Sequence, residues 1–156
     1  MLHIQFLEGV AFLHKHGIAH LNLKPGNVLV HGKSGLLSPR LSIIDFGLSD
    51  FAESEETLVE GYRGTPSWAA PEVEENARKY SAILTDQFSC AKVLKYFVNT
   101  LPIGSTAASE HICVKLLSSV LGERPSLSTV LQVLRGAPDP WGVSISKPWG
   151  LYQALQ

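Results

Sequence analysis

From its second residue the chain repeats at helical spacing. Ile4, Leu7, Val10, Ala11 and His14 share one face, with Phe6 and Leu13 beside it, which predicts a helix over residues 2–16. Gly17 is placed to stop it. The pattern then shortens to two β-like runs, 28–31 and 41–44, with a Gly-Lys-Ser-Gly turn after the first. Residues 49–61 carry Asp50, Glu53, Glu55, Glu56 and Glu60 and no base, the composition of a solvated acidic loop. Residues 63–81 read as an irregular loop followed by a short helix. Helical spacing returns in three segments. Residues 85–100 are the most apolar, with Asp86 near the start, where an acid suits the helix dipole. Residues 109–122 have Ser109 as a cap and Gly122 as a stop, and residues 126–136 have Ser126 and Gly136 in the same roles. From Ala137 the chain turns irregular, with three prolines and two tryptophans. The sum is a mainly α chain with two short strands near its front, flanking the most polar loops, where chemistry tends to sit.

Composition narrows this. At 156 residues, 45% apolar and 17% charged, the chain is one ordinary globular domain. A net charge of -1 suggests neither nucleic acid nor an anionic membrane as partner. Cys90 and Cys113 lie in helical segments without a pairing pattern, the usage of two reduced buried thiols. No apolar run approaches the ~18 residues of a membrane span, and no basic region precedes an apolar one as in a secretory leader. The expected location is cytosol or nucleus, not outside the cell. A chain that opens in mid-helix pattern without a cap is also expected to lack something upstream.

The chemistry-bearing residues come in a fixed order. His20, Asn22, Lys24 and Asn27 share one loop, Asp45 opens "DFG" at the end of the second strand, "GTPSW" starts at Gly64, and "APE" is Ala70 to Glu72. Each triplet alone is weak; the ordered set is specific. It resembles the C-terminal lobe of a eukaryotic protein kinase of the Ser/Thr type, with "HLNLKPGN" similar to the catalytic loop H-R-D-L-x-x-x-N. Lys24 and Thr65 match the Ser/Thr branch. Asp86 with Ser89 resembles the start of that lobe's central buried helix, with Phe88 and Ala91 where the family has Trp and Gly. Arg124 is similar to the late Arg that pairs with the Glu of "APE", here Glu72. The resemblance implies a mainly α fold, the C-lobe of the protein-kinase-like α+β fold, with a short β-hairpin by the active site. It implies a kinase C-lobe portion over 1–136 with a tail over 137–156. Implied cofactors are ATP and Mg²⁺, held at Asn27 and Asp45, since phosphoryl transfer asks mainly for positioning and charge neutralisation and Mg²⁺ takes oxygen ligands. Lys24 would place a cation near the transferring phosphate, Thr65 would hydrogen-bond within the catalytic loop, and His20 would be structural.

Four departures follow from the same comparison. Asn22 stands where the family has the Asp that accepts the substrate proton. An amide cannot hold that proton near neutral pH, and losing a general base costs ~10²–10⁴ in rate. Leu21 replaces the Arg that often receives a phosphorylated activation loop, so phosphate would only add charge to the acidic run. The family's Gly-rich loop, strand Lys and helix Glu have no counterpart before residue 2. Residues 99–109 leave no room for the helix that often docks substrates there. These observations leave four readings. One is a pseudokinase-like domain that works by binding a protein partner. Another is a Ser/Thr kinase, acting on a protein substrate, whose N-lobe is absent from this chain. A third is a non-functional remnant. The last is a metal site from His14, His16 and His20, opposed by Gly17 ending the helix between them.

Overall fold

The computed structural model describes residues 2–32, 39–75, 77–100, 107–136 and 140. The expected turn at 32–35 lies largely outside them, as do most of the 99–109 segment and almost all of the tail. Helix α1 runs Leu2–Lys15. Gly17 takes φ +70°, the left-handed geometry glycine adopts without strain, and its N–H donates to His14 O at 3.0 Å. The buried face of α1 is His3, Phe6, Leu7 and Val10. Phe6, expected at the flank, sits at its centre, because the face turns toward Phe97, whose ring Phe6 meets edge-on at 5.7 Å.

Helix α3, Ala82–Thr100, is the axis of the domain, and most of its residues are buried. It begins three residues before the expected start. Ser81 accepts from Leu84 N at 3.3 Å and so serves as the N-cap. Asp86 is therefore in the second turn, fully buried, and its role is not the dipole contact expected from sequence. Helix α4 spans Ala107–Leu116 and helix α5 Leu127–Leu134. Ser109 lies inside α4 instead of capping it. The helix stops before Gly122 because Ser118 is claimed elsewhere: its carbonyl accepts from Arg124 Nε at 2.8 Å and its Oγ from Val120 N at 3.1 Å. Gly122 falls in a short 3-10 turn, Leu121–Glu123. Ser126 does cap α5, accepting from Thr129 N at 3.2 Å, and Gly136 follows it with φ +97°.

The four long helices enclose one core of Phe6, Leu7, Val10, Leu94, Phe97, Ile112, Leu116, Val130 and Leu131 among others. Each such side chain contributes about 1.5–3 kcal/mol on burial. Cys90 and Cys113 are buried free thiols, and burial raises both pKa values, that of Cys113 to about 11. A second cluster, including Ala19, Leu21, Val59, Val73, Tyr80 and Phe88, lies under the loops.

The strands form three two-stranded antiparallel pairs. The expected hairpin is β2 (Val28–His31) on β3 (Arg40–Ile43), in register Val28↔Ile43 to His31↔Arg40. It docks on α1 at Gly9, where an added Cβ would lie 3.1 Å from Ile43 Cδ1, and Gln5 Oε1 accepts from Leu41 N at 3.0 Å. The other two pairs were not expected. Strand β1 (Ile18–Ala19) pairs with β4 (Asp50–Phe51), and β5 (Leu58–Glu60) with β6 (Lys79–Ser81). The acidic segment is thus largely ordered: Asp50 pairs with Arg63 at 2.6 Å, Glu60 with Lys79 at 3.0 Å, and Glu55 accepts from Gln87 at 3.2 Å. Its bases come from later in the chain, where a local composition window does not look. Helix α2, Pro71–Glu74, is the short helix expected there, opened by Pro71 at its first position. Among the described residues no helix is long and apolar enough to cross a membrane.

Candidate functional site

The loop from His20 to Asn27 is held from below by one carboxylate. Asp86 Oδ2 accepts from His20 N at 2.6 Å and Oδ1 from Leu21 N at 2.7 Å. His14 Nε2 lies 3.2 Å from the same Oδ2. Leu21 has φ +61°, a conformation that costs a branched residue about 1–2 kcal/mol. The bond to Asp86 and the nearly complete burial of its side chain offset that cost. Sequence inspection missed this anchor; the available signal was an acid in the most apolar helix, since a buried acid must find partners.

His20 is fully buried. Its Nε2 lies 3.0 Å from Ile44 O and its Nδ1 accepts from Asn22 N at 3.2 Å, while its ring stacks obliquely on Phe46 at 4.9 Å. It ties the loop to the end of β3 and takes the structural role the resemblance implied. His16 turns outward onto Phe12 O at 2.8 Å, so His14, His16 and His20 go to three different partners. Among the described residues no group of three or more His, Cys, Asp or Glu assembles around a common point, and the histidine metal site is set aside.

Asn22, Lys24 and Thr65 come together from positions more than forty residues apart. Thr65 Oγ1 donates to Asn22 Oδ1 at 2.8 Å, and Lys24 Nζ donates to Thr65 Oγ1 at 2.9 Å. The approach depends on Gly64, at φ +138°, where a Cβ would meet Ala69 Cβ at 3.0 Å. The amide of Asn22 is thus committed: its oxygen receives Thr65, and its nitrogen is a donor with no capacity to take a proton.

Asn27 is buried, and its Nδ2 donates to Asn22 O at 2.9 Å. That bond fixes the amide so that Oδ1 is the atom left for another partner. Asn27 O accepts from Ile44 N at 3.0 Å, which brings the residue before β2 beside the one preceding Asp45. Asp45 is exposed and has φ +66°, a left-handed conformation Asp tolerates. The two side chains offer a carboxylate and an amide oxygen at the open end of the hairpin. This donor set fits Mg²⁺, which is bound through one or two protein oxygens and completed by phosphate and water oxygens.

Behind this site lies a buried ion pair. Arg124 Nη1 meets Glu72 Oε1 at 2.7 Å and Nη2 meets Oε2 at 3.0 Å, with Leu84 O also accepting from Nη1 at 2.9 Å. Burial raises the Glu72 pKa, but hydrogen bonds from Arg124, from its own backbone N–H and from Thr85 outweigh it and hold the carboxyl below the usual range. The pairing implied by the resemblance is present, and the Arg124 guanidinium also lies 4.9 Å from the Phe88 ring centre.

Comparison with known proteins agrees with this geometry. The protein kinase domain family matches residues 1–132. The chain is 48% identical over 69 residues to serine/threonine-protein kinase 17A of Oryctolagus cuniculus, covering 44% of this chain and 17% of that protein. It is 36% identical over 90 residues to CBL-interacting serine/threonine-protein kinase 8 of Arabidopsis thaliana, covering 58% and 19% respectively. The matched segments therefore span less than a fifth of each of these relatives.

Proposed function

This chain belongs to the protein kinase family, on its Ser/Thr side, and from that premise we propose that it is a kinase-derived domain with impaired phosphotransfer that works by binding a protein partner. The observation that carries this is Asn22. It lies in the loop held by Asp86, with its amide oxygen accepting from Thr65, at the position where the family's base would accept the substrate proton. The backbone geometry supports the shape of a phosphotransfer loop, and the chemistry at its centre is that of an amide. ATP with Mg²⁺ is the cofactor class the family uses. When bound, Mg²⁺ would neutralise phosphate charge beside Asn27 and Asp45, while Lys24 adds a cation held on Thr65. A net charge of -1 gives no general attraction for nucleic acid or an anionic membrane, and we place the protein in the cytoplasm or nucleus.

The test is phosphate transfer from labelled ATP to a basic protein substrate by the purified chain, alongside Asn22→Asp. Transfer by the natural sequence is expected at background, and Asn22→Asp is expected to raise it by ~10²–10⁴ wherever Mg-ATP is held. Turnover by the natural sequence in the ~1–100 s⁻¹ range of active kinases would overturn the proposal. A second reading, an active Ser/Thr kinase acting on protein hydroxyls, is favoured by the intact Lys24–Thr65 bond and by the adjacency of Asn27 and Asp45. That turnover would establish it.

A further inference from the structure

Helix α1, the acidic segment, the start of α3 and α5 line an open cavity of about 610 Å³, and Asn22 is not among the lining residues. Its walls include the apolar side chains of Phe12, Ile83, Leu127 and Leu131, with Glu53 and Arg135 at the lip. Phe12 is 60% exposed there, an unusual position for a large aromatic ring. The size suits one or two aromatic side chains.

We propose that this cavity is the docking site for the chain's own tail, residues 137–156, through its tryptophans. Three observations converge on that occupant. First, α5 forms one wall and ends at the lip, where Arg135 pairs with Glu8 of α1 at 2.6 Å. Gly136, at φ +97°, then changes the direction of the chain. Second, the tail carries the tripeptide Pro-Trp-Gly twice, at 140–142 and 148–150. Trp141 is six residues beyond Arg135, a reach of at most about 20 Å, and closing so short a loop costs little entropy. A tethered anchor also has a high effective concentration at the cavity. Third, the chemistry matches. Tryptophan buries a large apolar surface and needs an acceptor for its single N–H; the apolar walls meet the first need and the Glu53 carboxylate at the lip the second. Lys147, between the two tripeptides, suits the acidic side of the lip formed by Glu53 and Glu55.

The experiment is chymotryptic cleavage after Trp141 in the complete 156-residue chain, timed against a synthetic peptide of residues 137–156. Cleavage in the chain is expected to be slower by about tenfold or more. Two rim substitutions, Phe12→Glu and Gln132→Arg, are at exposed positions and are expected to restore the peptide rate while leaving the thermal unfolding midpoint in place. Cleavage of the unsubstituted chain at the peptide rate would overturn the proposal. So would protection that neither substitution relieves. Protection lost on dilution would assign the cavity to the tail of a second copy and equally overturn docking within one chain.

Discussion

Two polar centres of this domain are built differently. Around Asp86 and the Glu72–Arg124 pair, every charged group retains a charged or hydrogen-bonded partner: two backbone N–H groups and His14 for the first, a forked guanidinium and Thr85 for the second. Around Asn22 the backbone N–H, the backbone carbonyl and the amide oxygen each have a hydrogen-bond partner, and the group at the centre is a neutral amide. The charges at Asp86, Glu72 and Arg124 are those whose removal would leave buried groups unpaired; at position 22 a neutral amide meets the same need for an acceptor. Holding the shape of the loop and accepting a proton are therefore separable demands: the loop is held by hydrogen bonds, and an amide at position 22 has no capacity to take a proton near neutral pH.

That contrast can be broken from its strong side. Arg124→Ala leaves Glu72 with Thr85 as its one side-chain donor among the described residues, removes the guanidinium from Leu84 O and Ser118 O, and is expected to cost about 3–5 kcal/mol, the range for breaking a buried pair by removing one partner; urea unfolding measures it, and a loss under 1 kcal/mol would show the pair to be dispensable. Asp86→Asn keeps an acceptor for one of the two loop amides and turns a donor toward the other, so about 2–4 kcal/mol is expected. Its effect should also appear as faster hydrogen exchange at His20 and Leu21.

The pH dependence is smaller. Burial, with the α-amino group adding to it, lowers His3 to about 4 from an ordinary 6.5. The unfolded chain then binds the proton more readily than the folded one. Stability should be level above pH 6.5 and fall as pH drops from there to about 4, by on the order of 1–2 kcal/mol after allowance for solvent screening. Unfolding midpoints at pH 7, 5.5 and 4.5 measure the slope, and His3→Gln should flatten it. Smallest of all is the effect of Asn22→Asp on stability, expected within about 1 kcal/mol because Thr65 can donate to either oxygen. A large destabilisation there would mean that the amide is a structural requirement and that the two centres are not separable.

Much of the site was legible in the sequence because its signals are local or come in a fixed order. The loop from His20 to Asn27, the strand leading to Asp45 and the Ser126 and Gly136 boundaries of α5 each follow from a few neighbouring residues. The anchor beneath the loop was not legible. Asp86 resembled a helix-dipole acid because its partners, His20 and Leu21, are some 65 residues away. The glutamates of the acidic segment are exposed as expected, but its partners Arg63, Lys79 and Gln87 were not legible for the same reason, since each lies outside the segment and is brought to it by the fold. Helix α4 was read too long because Arg124 takes the carbonyl of Ser118, a demand that no propensity in residues 109–122 expresses.

By itself the sequence determined the mainly helical character, the hairpin, the family and the amide at position 22. These rest on apolar periodicity, turn chemistry and residue types at close spacing, which act within a few residues of the backbone. The tertiary structure decided which polar groups meet: Thr65 with Asn22 and Lys24, Asp86 with the loop amides, Asp50 with Arg63. Those pairings are set by the packing of α1 and the loops on α3, because a buried donor or acceptor must be satisfied by whatever the fold brings within about 3 Å.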